Sequence, residues 1–472
     1  MNILLRATKL LIVNMYPKFN HSSWSARSAQ WIVPACSSSL SDLGVEDRRG
    51  RESGKCLLYA MFSFFLLSTI HYPLSVAHAS YPILTYRHGH HLFTLDPNAF
   101  PGWHSTEEQW LYHGVEIAPP QSLLVDGDIL PPLPADVERT LRFGLNTDAI
   151  EETIRSRIAS KIDRPRGDVT IRMEDGHPTF DGVGFLGRTV DNHRAAELTV
   201  AALEAGITDI QLPVSEEQPL LNILDPDLQD MGIASVIGIG ESVFTGSPNP
   251  RRHNIKTGLS RFNGTLIPQG ATFSFNEILG PVNAAAGYVK ELVILGDRTM
   301  PDYGGGLCQV STTAYRGIWE YGFPIEQRRN HSFAVAYYAP QGTDATIYPP
   351  NTDMKFLNDS PGALLIQTVV EGDNAYFIYY GTRDKREAEI IGPYVWNRTA
   401  SPPDKTEFNA DLKPGEKRTL GKAVPGMQAA WFRIVRSPDN TEIVEPYYSF
   451  YQARPNFTQV GIESTVPSWI GE

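Results

Sequence analysis

The stretch "YGGGLCQVSTTAYRGI", residues 303–318, sets Gly304, Gly305 and Gly306 directly before a cysteine. Glycine lets backbone approach another group closely, because no Cβ intervenes. Apolar residues at Val310, Ala314 and Ile318, with Gly322 as terminator, predict a helix that Cys308 opens. Unpaired amides and the dipole of a first turn favour a thiolate, the form that attacks electrophiles. The amides of Cys308 and Gln309 are placed to receive an oxyanion.

A thiol nucleophile needs a base and an orienting group. His331 follows 23 residues later in "QRRNHSFAVAYYAP", where alternation predicts the start of a strand. Asp344, in "QGTDATIYPP", is expected on the next strand and is the first candidate to orient the imidazole; Asp353, in "NTDMKF", is the second. Cysteine at a helix start, then histidine and carboxylate on successive strands, is the order used by papain-like and transglutaminase-like enzymes, an analogy of arrangement only. The plainer alternatives are a cysteine packed where nothing larger fits, a histidine satisfied by backbone, and aspartates that cap turns.

Two basic pairs, Arg251-Arg252 and Arg328-Arg329, flank this region in an otherwise acidic chain. Brought together they would form a cationic site suited to carboxylates; apart, they are surface partners for abundant Asp and Glu. The cluster His88, His90 and His91 lacks the paired spacing of a zinc site, and a polar strand edge is its simpler reading. No metal or cofactor is expected: phosphate loop, dinucleotide fingerprint and Gly-x-Ser-x-Gly elbow are all missing from the sequence.

The compartment bears on the thiol. Basic "RRGRESGK" precedes an apolar run and the small-residue site Ala77-His78-Ala79, the pattern of a secretory signal cleaved after Ala79, with an uncleaved N-terminal anchor as the alternative. Cys36 and Cys56 lie in this leader, so the remainder would hold one cysteine, Cys308, and no internal disulfide. The leader carries a net +4, which takes the whole-chain charge of −12 to −16 for the remainder. Such a balance argues against nucleic acid and anionic membrane as partners.

The elements that must position these residues are legible in outline. Residues 80–139 read as short strands and turns. Asn146 caps a helix with Ile150, Ile154 and Ile158 on one face; a hairpin follows around Asp175-Gly176; Asp191 and Gly206 bracket a second helix; "ITDIQLPV" is a strand. This makes an α+β domain over 140–225. A second α+β domain is expected over 235–380, and a small all-β module over 390–465. The fold class expected is therefore α+β and multidomain.

Residues 235–375, through "NPRRHNIKTGLSRFNGTLIPQGATFSFNEILGP" and "GGGLCQVSTTAYRGIWEYG…NHSFAVAYYAPQGTDATIYPPNTDMKFLND", resemble the VanW family. Residues 140–215 resemble the peptidoglycan-binding domain proposed for cell-wall proteins of the YoaR type, and the C-terminal module resembles the five-glycine wall-associated domain, with a thin glycine pattern. The resemblance implies an extracytoplasmic, wall-associated protein whose partner is peptidoglycan or another wall polymer; it does not license calling this a resistance protein. It carries over Gly304, Gly305, Gly306, Cys308, Gln309, Ser311, Thr312, His331, Ser332, Asp344 and Asp353 as signature positions. Two functions then stand open. One is a cysteine-dependent amidase, peptidase or transpeptidase using Cys308, His331, Asp344 or Asp353, and Gln309, with Gly304, Gly305, Gly306, Arg252, Arg329, Ser311 and Ser332 toward substrate. The other is a non-catalytic wall-binding or scaffold protein.

Overall fold

The structure is a computed structural model, described over residues 81–118, 136–295 and 298–462. The expected leader, with Cys36 and Cys56, lies outside the described residues. The chain mixes helix and strand, with strand in excess and divided among several small sheets.

At the N-terminal end, β1 (Leu84–His88) and β2 (His91–Leu95) form a hairpin turned at Gly89 and His90. The helix α1 (Thr147–Ile154) begins where Asn146 Oδ1 accepts from the Ala149 N–H at 3.1 Å, and it runs on through a π turn at Arg155–Ala159. That continuation keeps Ile150, Ile154 and Ile158 on one fully buried face. Next, β3 (Asp168–Glu174) and β4 (His177–Gly182) join through Asp175 and Gly176, both at positive φ, as a two-residue turn of this hand requires. The helix α2 (Asn192–Ala205) is capped by Asp191 and ends at left-handed Gly206; β5 (Asp209–Gln211) then pairs parallel to β1. Leu84 and Tyr86 share one core with Ile150, Ala195 and Leu203, so a single core draws on both sides of residue 140.

The central region is built on β6 (Ser235–Val243), which pairs antiparallel with a later strand. After α3 (Asn249–Ser260) come the hairpin strands β7 (Lys290–Leu295) and β8 (Arg298–Tyr303), and then α4 (Leu307–Tyr321). The hairpin β9 (Leu364–Glu371) and β10 (Asn374–Gly381) completes an antiparallel sheet in the order β6, β10, β9, with a short strand at Leu266–Ile267 on its edge. Glycines set how closely α4 crosses this sheet. A Cβ on Gly240 would fall 1.8 Å from the Thr313 carbonyl oxygen, and one on Gly317 would fall 2.5 Å from the Gly240 nitrogen. Val310, Ala314 and Ile318 point into a core with Phe262, Phe273 and Phe356.

The C-terminal region is all β: β11 (Glu387–Thr399), β12 (Gly426–Arg436) and β13 (Glu442–Tyr451) in sequential antiparallel order, plus a second three-stranded sheet. It docks on the end of α4. Trp431 meets Trp319 edge to face at 5.7 Å, and Arg433 Nη1 donates to the Trp319 and Phe323 carbonyls at 2.9 Å each.

The strands expected to begin at His331 and to hold Asp344 do not form. Residues 328–347 run as irregular backbone with one 3-10 turn at Ala336–Tyr338. Several of their carbonyls are met by side chains instead of a ladder. Arg316, buried on α4, donates to the carbonyls of Tyr338, Ala339 and Thr343 and to the Thr343 hydroxyl. Among the described residues, no helix is long and apolar enough to cross a membrane.

Candidate functional site

Left-handed Gly304 and Gly306 turn the chain from β8 into α4, so Cys308 is the second residue of the helix. Its half-buried thiol lies 3.3 Å from Thr346 Oγ1 and 3.7 Å from the Ile347 carbonyl, to which it donates. In the first turn, the Leu307 N–H donates to Gly304 O and the Gln309 N–H to Gly306 O. No backbone acceptor outside the helix is found for the Cys308 N–H among the described residues.

His331 is buried opposite. Its backbone N–H donates to Asp344 Oδ2 at 2.7 Å, and its Nδ1 lies 2.6 Å from the same oxygen. The ring stacks on Tyr338, centroids 4.4 Å apart. Its other nitrogen, Nε2, is buried without a hydrogen-bond partner. The second Asp344 oxygen accepts from the Tyr451 hydroxyl and lies 3.3 Å from Arg328 Nη2. The segment that carries Asp344 is tied to α4: the Ala345 N–H donates to Thr312 Oγ1, and Ser311 Oγ donates to the Ala345 carbonyl.

Charges in this pocket support one another. For Asp344, burial alone would raise the carboxyl. The hydrogen bonds and charge of His331, aided by Arg328, overcome burial and hold it far below the usual carboxylate range. For His331, burial opposes the imidazolium, but Asp344 and the facing Cys308 outweigh it and raise its pKa to about 9. Burial would also raise the Cys308 thiol. The His331 imidazole, with smaller help from Thr346 and Ile347, brings it below its ordinary value. Nε2 has no well-formed hydrogen-bond partner, yet the imidazole and the thiol interact, and each ionised form stabilises the other.

This geometry coincides with a family match. Residues 250–380 match the model described as VanW like protein. Over this stretch the chain carries a VanW-like domain. It is 29% identical over 175 residues to "Uncharacterized protein YoaR" of Bacillus subtilis (strain 168), covering 36% of this chain and 57% of the relative. It is 30% identical over 114 residues to "Vancomycin B-type resistance protein VanW" of Enterococcus faecalis (strain ATCC 700802 / V583), covering 23% of this chain and 40% of the relative. The chain thus spans less than two thirds of the length of these curated relatives. A solved structure, "IgA1 Protease G5 domain structure", aligns with 18% of the chain and all of its own at 18% identity, with a TM-score of 0.11, too low to inform the fold.

Other residues expected in the site of the VanW-like domain have different surroundings. Asp353 accepts from Ser274 Oγ and from the Asn276 and Met354 N–H groups; it closes the turn before a short helix at Phe275–Leu279 and does not meet His331. Gln309 is buried, with its side chain on Arg251, Ser242 and Val243, and its N–H is spent on Gly306 O. The glycines make room for protein, since a Cβ on Gly305 would fall 2.8 Å from Leu292 O and one on Gly306 would fall 3.1 Å from Arg251 Cγ. Ser311 is fully buried in its bond to Ala345. Ser332 and Arg329 are exposed; Arg329 offers its carbonyl to the Thr346 N–H.

The basic pairs do not merge into one cationic patch. Arg251 is buried against the Tyr337 ring, Arg252 pairs with Asp373, and Arg328 serves Asp344. The histidine tract docks on the VanW-like domain: His90 Nδ1 lies 2.5 Å from Glu320 on α4, and His91 Nε2 lies 2.8 Å from Glu241 on β6. Sequence reasoning passed over Thr346, Tyr338 and Tyr451. None carries a local signal, because their roles depend on contacts across the fold.

Proposed function

We propose that the chain is an exported, cell-wall-associated protein that binds peptidoglycan, and that its VanW-like domain cleaves or transfers an amide of wall peptide through Cys308. The wall assignment is supported by the family match. The chemistry is supported by one observation above the others: a buried imidazole with one nitrogen committed to a carboxylate and the other unpartnered on the thiol side.

In this reading the Cys308 thiolate attacks the amide carbonyl carbon. A C–S bond forms as the carbonyl π pair moves onto oxygen, toward the Cys308 N–H at the helix start. The tetrahedral species collapses and the C–N bond breaks, while the His331 imidazolium gives its Nε2 proton to the departing amine. A thioester remains. Water, or an acceptor amine, loses a proton to Nε2 and attacks the thioester, which returns the thiolate. Asp344 stays ionised throughout and holds the ring.

The test is the rate of Cys308 alkylation by iodoacetamide against pH, in wild type and His331→Ala. The expected result is an apparent thiol pKa well below about 8.5 that is lost in the variant; a thiol that reacts only after denaturation would sink the enzymatic reading. The second reading, wall binding without catalysis, is favoured by the two contacts that already satisfy the thiol, at Thr346 and Ile347.

A further inference from the structure

The family match ends at residue 380, yet the carboxylate of the thiol site is held from beyond it. Tyr451 is the last residue of β13 and is 2% exposed. Its hydroxyl accepts from the Gly342 N–H at 2.7 Å and donates to Asp344 Oδ1, so both of its hydrogen-bonding roles are spent on the 342–344 turn. The same sheet grips that turn again. Trp431 Nε1 donates to the Gln341 carbonyl at 2.8 Å, and Gly342, left-handed, lies where any Cβ would fall 2.7 Å from the Trp431 ring. The other limb, which carries His331, is bound to the same strand end. Arg328 donates to Ser449 Oγ at 2.9 Å, Asn330 Nδ2 to Phe450 O at 2.8 Å, and the Gln452 N–H to Ser332 O at 2.7 Å.

We propose that Tyr451 is a positioning residue of the thiol site, and that the VanW-like domain has a working Cys308–His331–Asp344 arrangement only with the C-terminal β module docked. This rests on the reading of the site given above. Without the phenol hydroxyl, Asp344 Oδ1 keeps Arg328 at 3.3 Å as its remaining polar neighbour, and the carboxylate can rotate about Cβ–Cγ away from Nδ1. The Gly342 N–H would also be left buried without an acceptor, which loosens the turn itself. The imidazole then loses the group that fixes its orientation and favours its charged form.

The experiment is iodoacetamide labelling of Cys308 against pH in the purified full chain, for wild type, Tyr451→Phe and Tyr448→Phe, with thermal unfolding alongside. Tyr448 is 62% exposed on the opposite face of β13 and serves as control. Tyr451→Phe is expected to raise the apparent thiol pKa toward about 8.5 and to slow labelling at pH 7 by roughly tenfold, while Tyr448→Phe matches wild type. A Tyr451→Phe protein with lower thermal stability but the wild-type thiol pKa would overturn the proposal, because only packing would then be lost. Should Tyr451→Phe fail to fold, Ser449→Ala decides: an upward shift in thiol pKa supports the module's role, and an unshifted value overturns it. A wild-type thiol of ordinary pKa overturns the reading of the site itself, and this proposal with it.

Discussion

His331 meets Asp344 twice through the same oxygen, once by its backbone N–H at 2.7 Å and once by its ring Nδ1 at 2.6 Å. The double contact fixes the ring and the chain that carries it together, and it assigns Nε2 to whatever stands on the thiol side. The direction of the imidazole is thus set before any ligand arrives.

Asp344→Asn tests the pairing directly. The amide cannot stabilise the imidazolium, so the apparent Cys308 pKa is expected to rise and labelling at pH 7 to fall about tenfold or more. Leaving His331 and Arg328 buried beside a neutral group should also cost about 3–5 kcal/mol of stability. Asp353→Asn should cost about 1–3 kcal/mol through its lost turn contacts and leave the thiol pKa unchanged. Alkylation kinetics and urea unfolding on both variants separate the two effects.

The pH dependence of stability has a definite sign. The His331 pKa is raised from 6.5 unfolded to about 9 folded. Its contribution is fully present below pH 6.5 and disappears as pH rises through about 9. The stability gap between wild type and His331→Ala should therefore be widest at or below pH 6.5 and shrink by on the order of 3 kcal/mol on the way to pH 9. Asp344 behaves oppositely. Its depressed folded pKa gives stability that is complete above the ordinary carboxylate range and is lost on acidification. Denaturant midpoints from pH 3 to pH 10 would reveal both limbs.

Gly240→Ala should be far worse than Gly176→Ala. The first puts a methyl 1.8 Å from the Thr313 carbonyl and must push α4 off the sheet, at about 3 kcal/mol or more. The second has open space around it and bears only left-handed strain, about 1 kcal/mol. Urea unfolding of the pair decides, and equal costs would refute the close crossing.

Arg316→Lys should loosen one loop and leave the core. The guanidinium fork reaches four carbonyls and a hydroxyl; one ammonium cannot span them. Hydrogen exchange is expected to speed up over residues 338–346, and Cys308 labelling to slow, with exchange in β9 and β10 unchanged.

The helices α1, α2 and α4 were readable from local signals: Ile150, Ile154 and Ile158 behind the Asn146 cap, Asp191 and Gly206 bracketing α2, and Val310, Ala314 and Ile318 before the terminator Gly322. The turn at Asp175-Gly176 was readable for the same local reason. Cys308 drew attention by the glycines before it and its place at a helix start, and His331 by residue type. Their surroundings did not, since the 328–347 segment has no period of its own and takes its shape from Arg316, Thr312 and Ser311. Asp344 and Asp353 look alike in sequence, each beside turn residues, and only tertiary contact sends one to an imidazole and the other to a helix start. Tyr451, 107 residues from its partner, left no trace that a local pattern could carry.

Tyr451 also gives the site a clock. A ribosome makes Cys308 143 residues before it makes Tyr451, so the chain exists for a time with its thiol, histidine and aspartate complete and their last anchor unmade. Under the proposal made for Tyr451, the thiol is an ordinary one during that interval. On that same proposal, folding of β13 is the step that arms it.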